Sequence, residues 1–177
     1  MSRATILKMS RIVSLITILI AFSGCTNHLV IKQYPMKPGM VPEFTGSQPV
    51  ALVNAQDNNE NTILYSNKMG DKITASMHQM TDTAIQVLET ELEKRNIDNS
   101  ENADKQLRLA VHDVTMTMPH PWALRCTLHL KAETADGNIS EYEAINNGNI
   151  NRACGGAVLR AVAAMLNDDT IQYYLKN

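Results

Sequence analysis

Three cysteines and five histidines are the side chains of this chain best able to form a covalent bond, hold a metal or move a proton. Cys126 and His129, with His120 before them and Cys154 after, offer the sulfur and imidazole donors of a zinc site. Their setting argues against one. Cys126 falls in the alternating set Trp122, Leu124, Cys126, Leu128, Leu130 and Ala132, while His129 belongs to the opposite set, Arg125, Thr127, His129, Lys131 and Glu133. Residues three apart on a regular strand point to opposite faces, so these donors do not converge and no metal is expected. Cys126 then points inward, as does Trp122, and Cys154 stands at the mouth of the last helix. Two separate buried thiols or a Cys126 to Cys154 disulfide both fit this placement. The bridge is the expectation carried forward, since closing such a loop stabilises by roughly 3 to 4 kcal/mol in the chain-entropy model. His28, His78 and His112 stand singly and read as surface or rim residues. Gly155 and Gly156, at the expected helix start, fit either an anion held on free N–H groups or close backbone packing. There is no Gly-x-Ser-x-Gly elbow, His-Glu-x-x-His pair, phosphate loop or dinucleotide fingerprint. No catalytic residues and no cofactor are expected, and the chain is read as a non-enzyme.

The third cysteine belongs to a different setting. Ile12 to Phe22 is an eleven-residue, mostly apolar run, preceded by Arg3, Lys8 and Arg11 and closed by Ser23, Gly24 and Cys25. A membrane-spanning helix needs about 20 apolar residues, so the run is too short to span and suits the core of a secretory leader. Small residues before a cysteine resemble a bacterial lipoprotein signal, which implies cleavage between Gly24 and Cys25 and acylation of Cys25. Phe22 departs from the Leu, Val or Ile preferred at that position. Two or three acyl chains hold a protein on a membrane essentially permanently, whereas one does so only marginally. Thr26, in place of the Asp expected for inner-membrane retention, implies the outer membrane, with the protein facing the periplasm. An oxidising compartment also suits the remaining cysteine pair.

The elements that would position these residues follow in order. Loss of residues 1–24 removes Arg3, Lys8 and Arg11 and no acid, taking the formal net charge from −2 to −5. That balance argues against a nucleic-acid partner. Residues 25–48 carry Pro35, Pro38, Pro42, Gly39 and Gly46 and read as a lipidated, Pro/Gly-rich tether with reach, within which His28 to Tyr34 could add as an edge strand. Residues 49–177 are expected to form a single α+β domain. Its first strand is Pro49 to Asn54. Ile73, Met77, Met80, Ala84, Val87, Leu88 and Leu92 repeat at three and four and predict an amphipathic helix over 71–95. Leu107, Leu109 and Val111 change phase to Val114, Met116 and Met118, predicting a bulge near His112 and Asp113. After Trp122 to Glu133 and the Asp136-Gly137 turn, Ile139 to Ile145 returns as a polar edge strand. The last helix is expected over Ala157 to Leu166, followed by a short turn, Ile171 to Leu175. The order β-α-β-β-β-α suggests one mostly antiparallel sheet with two helices packed on one face.

Four stretches carry a resemblance: Val87 to Ile97 (VLETELEKRNI), Gln106 to Val114 (QLRLAVHDV), Ala135 to Asn138 (ADGN) and Ala161 to Ile171 (AVAAMLNDDTI). In order and spacing they are similar to the YajG-type outer-membrane lipoprotein family of Gram-negative bacteria, over roughly residues 80–177 and the leader. The Cys126 and Cys154 pair is not part of that pattern. The resemblance implies a small envelope lipoprotein, a non-catalytic binding or accessory subunit attached to the membrane through Cys25 and meeting protein partners there. The alternative is a carrier of an apolar or glycan ligand, held between the long helix and the sheet.

Overall fold

In a computed structural model the described residues are 25–177; the expected leader, with Gly24, lies outside them. Among the described residues seven strands and three helices follow one another: β1 (Thr26–His28), β2 (Val50–Asn54), β3 (Asn61–Ser66), β4 (Lys72–Ser76), α1 (Met77–Glu93), β5 (Lys105–His120), β6 (Ala123–Thr134), β7 (Ile139–Gly148), α2 (Ile150–Leu166) and α3 (Asp169–Lys176). The α+β class is as expected. The single, mostly antiparallel sheet with two helices is not: there are two mixed sheets and three helices, with strand orders β2-β5-β6-β7 and β1-β4-β3. Each sheet contains one parallel pair, β2 with β5 and β1 with β4.

The larger sheet is built from alternation. Leu124, Cys126, Leu128, Leu130 and Ala132 of β6 are all buried, and Tyr142 and Ala144 of β7 join them from the next strand. The β5–β6 register slips between Val111 and Asp113, where the change of phase predicts a bulge. That slip keeps Leu107, Leu109, Val111, Val114 and Met116 on one buried face despite their uneven spacing.

Helix α1 lays Met80, Ala84, Val87, Leu88 and Leu92 on β2 and the first half of β5. Each fully buried large side chain of this kind stabilises by about 1.5–3 kcal/mol. The helix begins at Met77 rather than near 71, because the Ser76 hydroxyl accepts from the Gln79 N–H at 3.2 Å and caps it. Ile73 belongs to β4. Helix α2 covers β6 and β7 and begins at Ile150, seven residues earlier than expected, capped by Asn149. Cys154, Gly155 and Gly156 therefore lie inside a helix and not at its mouth.

Residues 25–48 are not a free tether. Leu29, Ile31, Val41 and Phe44 are buried in the same core as the rest of the chain. The prolines forbid a helix but not packing. This segment, a strap, continues from β1 past Gln33, whose amide donates to the Gln86 carbonyl, and Tyr34, whose hydroxyl donates to the Asn151 carbonyl. It thus crosses both long helices before reaching β2, and the expected boundary near residue 48 falls within one packed unit.

Candidate functional site

Cys25 is exposed and is the one free cysteine among the described residues. Its backbone is fixed on both sides. The Cys25 N–H donates to Asp71 Oδ1 at 3.1 Å, and its carbonyl accepts from the Lys72 N–H at 2.9 Å. Asp71 is itself held by Asn67, whose amide donates to Oδ2 at 2.9 Å. Hydrogen bonds from Asn67 and then from Cys25 keep the Asp71 carboxyl below its ordinary range. The acceptor at Asp71 suits an amide N–H, so an acylated nitrogen at Cys25 would keep this bond.

Cys126 and Cys154 are bridged, with their Cα atoms 5.1 Å apart. Both are fully buried, and the bond ties the first third of β6 to the second turn of α2. His129 lies on the other face of β6, its ring 5.9 Å from that of His112. No group of three or more His, Cys, Asp or Glu placed to hold a metal occurs among the described residues. A methyl group at Gly155 would stand 2.6 Å from Tyr34 Cε2 and 2.8 Å from the Lys32 carbonyl oxygen. Close packing of the strap, not an anion, accounts for that glycine. Trp122 is also not where alternation puts it. His120 pairs with Ala123, so Pro121 and Trp122 form the two-residue tip of the β5–β6 hairpin, and Trp122 is 83% exposed.

The interface of α1 with the larger sheet, the expected ligand groove, is filled by Met80, Leu88, Leu92, Leu107 and Leu109. An open cleft of about 660 Å³ lies instead between the strap and the C-terminal end of α1, where Met36, Val41, Phe44, Glu91, Lys94 and Arg95 line it. Arg95 Nη1 donates to Glu91 Oε2 at 3.0 Å and to the Glu91 carbonyl at 2.6 Å. Nη2 reaches the Pro42 carbonyl at 3.3 Å, and the guanidinium lies 5.0 Å from the Phe44 ring centre. Arg95 Nε is buried without a partner. Sequence reasoning did not single out Glu91 or Arg95. Their spacing of four marks an ion pair, but only the course of the strap buries it.

No protein-family model and no curated protein matches the chain. Among solved structures the fold is shared with protein XCC0632 from Xanthomonas campestris, a DUF330 protein, at a TM-score of 0.51 and 10% identity, over 84% of this chain and 96% of that one. At that identity the likeness is one of fold.

Proposed function

We propose that this chain is a YajG-type lipoprotein of the outer membrane, facing the periplasm and acting as a non-catalytic accessory or binding subunit of an envelope assembly. The observation that carries the reading is the run Ile12 to Phe22 ending in Gly24-Cys25, followed at once by a domain that leaves Cys25 exposed. A buried disulfide suits an oxidising compartment. No described helix is long and apolar enough to cross a membrane, so attachment in this reading falls to the lipid. Cys25→Ser should move the protein from the membrane fraction to the soluble fraction while its Cys126–Cys154 bridge persists. Retention in the membrane would overturn the reading. Crosslinking and pull-down from native membranes should recover defined protein partners.

A second reading, a carrier of an apolar or glycan ligand, is favoured by the strap cleft, with Met36, Val41 and Phe44 on its walls and the unpartnered Arg95 Nε at its edge. Native mass spectrometry of protein released gently from membranes should then show a retained small molecule. Bare protein in every preparation would remove this alternative.

A further inference from the structure

The exposed apolar side chains are unevenly distributed. Of eight large hydrophobics exposed among the described residues, five (Val30, Ile63, Met69, Met118 and Trp122) lie on the β1-β4-β3 sheet, on the chain just beyond it or at the β5–β6 tip. The topology carries these features beyond the start of α1. The Val111 N–H donates to Thr81 Oγ1 near the start of α1, and β5 runs nine residues further, to His120, past that helix end. Strands β4 and β1 approach α1 from the same side, since β4 leads into its first residue and β1 runs parallel to β4. Cys25, bonded to Asp71 and Lys72, therefore lies beyond the start of α1 as well.

Scattered exposed hydrophobics need no explanation, but a cluster rimmed by polar groups marks an interaction surface. Here the Met69 turn lies beside the anchoring residue. Met69, 83% exposed, tips the β3–β4 turn beside Cys25, with Lys68 and Lys72 exposed on either side. Trp122, with exposed Pro119 and Pro121 and partly exposed Met118, tips the hairpin, and Arg125 lies exposed just behind it. Apolar and aromatic tips backed by cations match a bilayer interface, where tryptophan settles at headgroup level and lysine and arginine meet lipid phosphates. No spacer separates Cys25 from β4, so acyl chains on its sulfur would bring this end, and no other, against the lipid.

We infer that the end of the molecule formed by the Met69 turn and the Trp122 hairpin tip is a lipid-apposed surface, seated on the phospholipid leaflet that holds Cys25. This rests on the proposed acylation of Cys25 and adds a docked orientation to it. Membrane attachment then has two parts, the acyl chains and a shallow protein contact, in keeping with the need for more than one signal.

Trp122 is the sole tryptophan, so its fluorescence reports the tip directly. The full chain, purified from membranes, would be returned to vesicles of phosphatidylethanolamine and phosphatidylglycerol with or without brominated acyl chains. The expected result is a blue-shifted emission, partial loss of intensity with brominated lipid, and protection from acrylamide. The double variant Trp122→Phe, Met69→Trp moves the reporter to the turn and should behave alike. The mass of the N-terminal peptide reads acylation separately. An acylated peptide with water-like emission from both positions overturns the docked orientation alone. An unmodified peptide overturns the anchor and the orientation with it. A blue shift seen in native membranes but absent from protein-free vesicles assigns the tip to a protein partner and also overturns the proposal.

Discussion

Asp168 joins two parts of the chain through one carboxylate. Its Oδ1 accepts from the Thr170 N–H at 2.8 Å and caps α3, while Oδ2 accepts from the Tyr142 hydroxyl at 2.7 Å. Burial works to raise its pKa, but the hydrogen bonds from Tyr142, Thr170 and Ile171 outweigh it and hold the value below the ordinary one. The same burial pushes the Tyr142 phenol well above its usual range. A carboxylate with a lowered folded-state pKa adds stability above its unfolded pKa, and that stability is lost as pH falls through the folded value. Asp168→Ala should therefore cost about 1 kcal/mol at neutral pH, the usual worth of a lost helix cap, in urea unfolding. As the pH falls through the lowered folded-state value, the gap between wild type and variant should narrow. A constant gap across the range would show that the charge plays no part. The cap itself was legible, since Asn167 to Thr170 reads as a helix stop followed by a start, but the Tyr142 partner 26 residues away was not. Trp122 shows the converse. Alternation correctly assigns the β6 core residues Leu124 to Ala132, yet a residue at the first step of a hairpin obeys the turn and not the pleat.

Among the elements, the strap depends most on a single small side chain. Gly155 lets Lys32 and Tyr34 lie directly on α2, and the Lys32 carbonyl cannot move without shifting its strand-like neighbours. Gly155→Ala gains helix propensity of about 1 kcal/mol, so in a free helix it would stabilise. Here it should destabilise and make residues 30–48 the first site of cleavage in limited proteolysis; a more stable, equally resistant variant would show that the strap does not pack there. Composition hid this. Three prolines read as a tether because they exclude a helix, while the buried Leu29, Ile31, Val41 and Phe44 are spaced too irregularly to show a period. The β3–β4 hairpin was missed for related reasons. Asn61 to Ser66 has few apolar residues because one face of it is wet, and Ile73 stands four residues before Met77, which imitates a helical step across a strand–helix junction. Elements resting on one clean period, α1 and β6, were readable. Those made by partners far along the chain were not.

For the molecule as a whole, the Cys126–Cys154 bond is the covalent tie between its two commonest kinds of structure, sheet and helix. With 28 residues separating the cysteines, reduction should lower the unfolding free energy by roughly 3 to 4 kcal/mol in the chain-entropy model, seen as a fall in the denaturation midpoint on adding reductant. An unchanged midpoint would mean that the bond is not formed in native material. The course of the strap also imposes an order in time. Tyr34 bonds to Asn151, and the Met40 carbonyl accepts from Asn167, contacts spanning 117 and 127 residues. The first residues of the domain to leave the ribosome thus have no place to settle until nearly the last have been made. Contacts of such separation form slowly. Closing the strap is a completion step: a chain cut short before α2 would carry its N-terminal segment loose, with Leu29, Ile31 and Phe44 open to solvent and to proteases.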